Sequence, residues 1–154
     1  MRASKPALHG RDHDLGGEDP IRILLERKVF PDTGTAAAVT IGDGKFIWAV
    51  TRDMDSSYLL EAHAFVSTVS SSGAPTVQIR NVTRAVDMLS TRITIDASEF
   101  TSYTAAAAAV VDDGGTPPRS FVQRADMIAV DVDVAGSGTK GLGVYLTFGP
   151  KLVP

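Results

Sequence analysis

Three histidines and a few paired carboxylates are the residues of this chain whose types and spacing suit chemistry. His9 and His13, in LHGRDHDLGG, stand four apart, a spacing that on a helix puts two imidazoles on one face in the manner of zinc proteases. Gly10 occupies the place where such a site needs a general-base Glu, and the surrounding Gly and Asp disfavour a helix. The chemistry left to the pair is docking, or convergence of imidazoles from several chains on a symmetry axis, where they would suit a shared metal. His63 falls in a probable strand on the face of Leu59, Glu61 and Phe65, so a structural or interface role is expected. Asp131 and Asp133 project from one face of a strand, as calcium ligands or an acid–base pair would, but plain alternation explains them as a solvated face. Asp53 and Asp55 read as loop acids. GDGK at 42–45 lacks the spacing of a phosphate-binding loop, and no serine sits in a nucleophile elbow. Asn81-Val82-Thr83 is a formal glycosylation acceptor placed in a strand. Trp48, in FIWAV, reads as core before sugar platform; Tyr58, Tyr103 and Tyr145 are the other aromatics suited to stacking. No nucleophile, base and orienting group form one constellation, so no enzyme, no catalytic residue, no cofactor and no metal held by a single chain are expected.

The elements that must position these residues are strands. MIAVDVDV (127–134) alternates strictly, with Ile128, Val130, Val132 and Val134 on one face and Ala129, Asp131 and Asp133 on the other. GVYLTF sets Val144, Leu146 and Phe148 against Tyr145 and Thr147, and TRITID sets Thr91, Ile93 and Ile95 against Arg92, Thr94 and Asp96. Further strands are expected at 36–41, 45–50, 58–69, 76–82 and 104–112, the last despite an alanine run that favours a helix. Gly42-Asp43-Gly44 reads as a hairpin connection, and residues 70–75 and 113–118 as loops. About eight antiparallel strands without a convincing helix imply an all-β, jelly-roll-like sandwich.

Composition agrees with one packed domain: 154 residues, 44% hydrophobic and 21% charged. The net charge of −3 lacks the basic footprint of nucleic-acid or anionic-membrane binding. With no cysteine, disulfides, thiolate metal sites and cysteine nucleophiles are excluded. The start has no apolar core of the signal-peptide kind, and nowhere do 18 apolar residues run together, so no secretion signal of its own and no membrane partner are expected. The texture changes near residue 35. Residues 1–35 are polar and punctuated by Gly, Pro and Asp, with one short apolar run (Ile21, Leu24, Leu25, Val29) after Asp19-Pro20; they read as an N-terminal docking and oligomerisation arm ahead of a sandwich at 36–154.

HGRDHDLGGEDPI (9–21) resembles the H…H…GGxDPI segment of tail fibres and minor tail proteins of long-tailed bacteriophages, where it precedes a distal domain. VTIGDGKFIWAV, SSSGAPTVQIRNVTRAVDMLSTRITI and ADMIAVDVDVAGSGTKGLGVYLTF are similar, in that order, to the opening, centre and end of the β-sandwich domains that follow it. The resemblance implies a structural virion protein, assembled in the host cytoplasm, homotrimeric, and decorating the particle or touching the host surface. It implies that His9, His13, Gly16, Gly17, Asp19, Pro20 and Ile21 organise chains near a three-fold axis or dock them on other virion proteins. Eight residues precede the motif, which favours a small, separately encoded tail-tip, fibre-knob or decoration protein over a long fibre. A capsid decoration protein or a lectin-like module binding a host glycan is the alternative.

Overall fold

The computed structural model describes residues 25–29 and 36–151. Its strands are β1 (Leu25–Val29), β2 (Gly42–Ala49), β3 (Ser57–Phe65), β4 (Thr76–Asn81), β5 (Val86–Asp87), β6 (Leu89–Thr91), β7 (Ile93–Thr94), β8 (Val110–Val111), β9 (Phe121–Val122), β10 (Met127–Val134) and β11 (Gly143–Gly149). One sheet has the order β1-β11-β3-β9; the other has β2-β10-β4-β5, with β7 also paired to β4, and β6 pairs with β8. All pairings are antiparallel. The chain passes from one sheet to the other at almost every step: β1 and β3 belong to the first, β2 and β4 to the second, then β9 and β11 to the first and β10 to the second. That alternation is the jelly-roll order expected from the sequence.

Period-two patterning explains why these segments pair as they do. Val144, Leu146 and Phe148 of β11 and Leu59, Ala62 and Ala64 of β3 are buried against Val77 and Ile79 of β4 and Ile128, Val130 and Val132 of β10. Ile93 and Ile95 are buried with them, as their alternation predicts. Each Val, Leu, Ile or Phe side chain removed from water contributes roughly 1.5–3 kcal/mol, and together they hold the two layers in contact.

Several expectations are corrected. Gly42-Asp43-Gly44 is no hairpin connection: it lies inside β2, where the register with β10 shifts, Gly44 has φ +60°, and its N–H donates to Asp131 Oδ1 at 2.6 Å. A bulge of this kind needs the conformational freedom that made the segment look like a turn. Residues 36–41 form no strand and are tied to the connection between β10 and β11 by the Ala38↔Lys140 bridge and the bond from Val39 N–H to the Thr139 carbonyl. The alanine run is not a strand either. A short 3-10 turn (Ser102–Thr104) precedes it and only Val110–Val111 pairs, because alanines bury too little to be worth a place in either layer. The expected TRITID strand is broken in two, with β6 on β8 and β7 on β4. Gln78 fills the gap beside β4 by donating from Nε2 to the Leu89 carbonyl at 3.1 Å. Val134 is 40% exposed, since a register shift between Val132 and Val134 turns it out of the core face.

Leu25–Val29, read as arm, pairs residue for residue with β11 from Leu25↔Phe148 to Val29↔Val144 and forms an edge of the first sheet. His9, His13, Gly16, Gly17, Asp19, Pro20 and Ile21 lie outside the described residues.

Most polar groups taken inside are paired; the Trp48 indole N–H and the Thr139 hydroxyl have no partner among the described residues. Asn81, fully buried, donates from Nδ2 to Asp126 Oδ2 at 2.8 Å and accepts from Arg84 N–H at 3.0 Å, so this glycosylation acceptor is a core residue. The Arg84 guanidinium donates to the carbonyls of Pro117, Pro118 and Phe121, tying the turn after β4 to the loop before β9.

Phe148→Ala, which empties the largest fully buried side chain, is expected to cost about 3–5 kcal/mol of stability, read as a lowered urea midpoint at unchanged m-value.

Candidate functional site

The outer face of the first sheet carries the densest group of chemically capable side chains among the described residues. Alternation along β3 and β11 puts Ala62, Ala64, Val144 and Leu146 inward, which leaves Glu61, His63, Tyr145 and Thr147 outward. The register sets Tyr145 opposite His63 and Thr147 opposite Glu61. Leu59 does not share this face, contrary to its expected phase. The β3–β11 register slips between Glu61 and Leu59, Leu60 is the extra residue, and the phase reverses there, so Leu59 points into the core.

A third segment completes the group. The Phe65↔Thr101 bridge brings the Ser102–Thr104 turn against the end of β3. Thr101 Oγ1 accepts from Tyr103 N–H at 3.3 Å, which caps the turn, and the Tyr103 ring lies over His63 with centroids 3.9 Å apart and planes at 24°. Ser102 Oγ accepts from Ala64 N–H at 2.9 Å and sits 3.5 Å from His63 Nδ1. Glu61 Oε1 is 2.7 Å from His63 Nε2. An ionised carboxylate only accepts, so Nε2 carries a proton toward Glu61. Glu61, His63, Tyr103, Tyr145, Leu146 and Thr147 enclose a hollow of about 330 Å³.

Carboxylate, imidazole and hydroxyl thus stand in a row; the shared face of Glu61 and His63 follows from alternation, whereas Ser102, far along the chain, is not anticipated by it. Ser102 is buried and already engaged by Ala64 N–H, and 3.5 Å is the outer limit of a hydrogen bond. The row therefore fixes the orientation of the imidazole under Tyr103. The polar Thr-Ser-Tyr run before the alanines was the one local signal of a capped turn.

The remaining candidates separate. Trp48 packs against the core beside Phe46, ring centroids 6.0 Å apart, and its buried indole N–H meets no acceptor among the described residues. Tyr58 packs on Phe121 with centroids 5.1 Å apart. Asp133 pairs with Arg92 Nε at 2.7 Å, while Asp131 is occupied by Gly44 N–H, so the two carboxylates do not converge. Asp131 and Ala129 are buried where the pattern suggested solvent, while Asp133 on the same face stays exposed as expected. Asp53 accepts from Thr51 Oγ1, and Asp55 Oδ1 accepts from Arg124 N–H at 2.8 Å, as loop acids do. A wider groove of about 660 Å³ runs past Gln78, Ser90 and Thr91, but its two arginines are paired, Arg92 with Asp133 and Arg119 with Asp112. No group of three His, Asp or Glu suited to a metal occurs among the described residues.

A second surface feature is apolar. β2 is an edge strand of the second sheet, and Ile41 and Ile47 are 67% and 48% exposed, with Phe46, Val82 and Met127 partly exposed beside them. Unpaired edges with apolar side chains are places where chains associate.

Comparison with protein-family models, with curated proteins and with solved structures returns no match for this chain.

Burial raises the Asp131 carboxyl above the ordinary carboxylate range; the Gly44 N–H acts in the opposite direction, and the neighbouring Asp43 adds to the rise. A carboxyl whose folded pKa is raised binds its proton more tightly when folded, so stability falls as pH rises from the unfolded toward the folded value. Asp131→Asn, which keeps the acceptor for Gly44, is expected to be more stable than the parent at pH 7. Urea titrations at several pH values should show that advantage shrinking toward pH 4; an advantage independent of pH would refute the assignment.

Proposed function

We propose that this chain is a structural component of a long-tailed bacteriophage virion, a homotrimer whose sandwich forms a small tail-tip, fibre-knob or minor tail module with an outer surface available to the host. The observation that carries the reading is the β2 edge, an eight-residue strand ending a sheet of a jelly roll with Phe46 and Ile47 exposed along it and Ile41 exposed just before it. A solvated edge of this composition is an association surface, and closed symmetry is the usual way for a protein to cover one. The bulge at residues 43–45 and Lys45 guard one half of the strand against indiscriminate strand addition, which leaves side-chain packing by Phe46 and Ile47 as the mode of contact. The ordered resemblance of residues 9–21 and of the sandwich to phage tail proteins supplies the context, with His9, His13, Gly16, Gly17, Asp19, Pro20 and Ile21 as the docking segment.

Light scattering at several concentrations tests the assembly. The full chain is expected at three times its monomer mass, Ile47→Lys is expected to shift it toward monomer, and a chain beginning at residue 22 keeps β1 while removing the docking segment. A full chain that stays monomeric at every concentration overturns the trimer, and a trimer indifferent to Ile47→Lys removes β2 from its interface.

A further inference from the structure

We infer that the hollow over β3 and β11 is a binding site for an uncharged sugar unit, with Tyr103 as the stacking platform and Glu61 as the hydroxyl acceptor. This deepens the host-facing part of the proposed function and rests on it only for its biological setting.

The argument starts from an aromatic residue in an unusual position. Tyr103 is 69% exposed, yet its ring is held: one face lies on His63, and its backbone is capped by Thr101. His63 is itself clamped between Glu61 and Ser102. A large ring fixed in place with its other face open to solvent is organised in advance for a flat apolar surface, and the C–H face of a pyranose is one. Orientation then requires polar groups at the edge. Glu61, with a side chain 58% exposed, uses Oε1 on His63 and leaves Oε2 to accept from ligand hydroxyls, while Thr147 lines the same hollow. The volume of about 330 Å³ lies at the small end of ligand pockets and suits one or two sugar rings.

Charge and ring geometry narrow the class. Among the described side chains Glu61 is the carboxylate of the hollow and no Lys or Arg joins it, so a carboxylated, sulfated or phosphorylated sugar would meet repulsion from it. An organic cation would welcome Glu61 but needs ring faces around it, and the Tyr103–His63 stack spends two of those faces on each other.

The test is titration of the full chain with a panel of neutral mono- and oligosaccharides, followed by ligand-observed NMR, with tetramethylammonium as the competing class. Binding by at least one neutral sugar is expected. Tyr103→Ala should weaken it by about tenfold or more, Glu61→Gln should weaken it, and Tyr103→Phe should retain it because the ring remains. Tyr103 is exposed, so these variants should keep the parent's thermal midpoint. Three results would overturn the inference: no neutral sugar binds, sugar binding survives Tyr103→Ala, or tetramethylammonium alone is bound. Native mass measured on the same samples keeps the two proposals separate, because sugar binding by a monomer contradicts the trimer and a trimer that binds no sugar contradicts the site.

Discussion

The contact between the two inner sheet faces is what the rest of this protein depends on. Phe148, Leu146 and Leu59 from one layer meet Ile79, Ile128 and Val130 from the other, and all are almost fully withdrawn from water. Burial on this scale fixes which face of each strand is inside, since a slip of one residue would exchange every core side chain for its outward neighbour. The chemistry on the outside is consequently a by-product of the order inside. Glu61, His63, Tyr145 and Thr147 share a surface because Ala62, Ala64, Val144 and Leu146 share a core.

Irregularities in the ladders do the finer positioning. The extra residue Leu60 lets Leu59 stay in the core while Glu61 and His63 face outward. The bulge at residues 43–45 lets Gly44 reach Asp131, which places a carboxylate where burial opposes its ionisation. The interrupted β5–β7 edge is held to β4 partly by side chain, through Gln78 and the Leu89 carbonyl, and partly by backbone, through Met88 N–H and the Ile79 carbonyl. Two of these departures are compensated by specific hydrogen bonds, Gly44 N–H on Asp131 at the bulge and Gln78 on the Leu89 carbonyl at the interrupted edge.

Jelly-roll wiring also explains why the site draws on distant residues. Because the chain crosses between layers at almost every step, neighbours within a sheet come from far apart in sequence, as with β3 beside β11 and β10 beside β2. Ser102 reaches Ala64, and Tyr103 reaches His63, only because the Phe65↔Thr101 bridge closes that loop. The same wiring leaves β2 at an edge, with no strand beyond Ile47 and Phe46 among the described residues.

Strong local patterns were legible without a structure. The alternation in MIAVDVDV and GVYLTF, the Val- and Thr-rich texture after residue 35 and the scarcity of helix signals suffice for an all-β sandwich, because side-chain direction along a strand follows from backbone geometry alone. The lack of cysteine likewise excludes disulfides and thiolate chemistry from composition alone. Four things were not legible: the phase reversal at Leu60, the bulge that makes Gly42-Asp43-Gly44 part of a strand, the burial of Asp131, and the placing of Tyr103 over His63. Each is decided by register with a strand distant in sequence, and the free energy that selects a register belongs to the packed pair of layers and to no single segment.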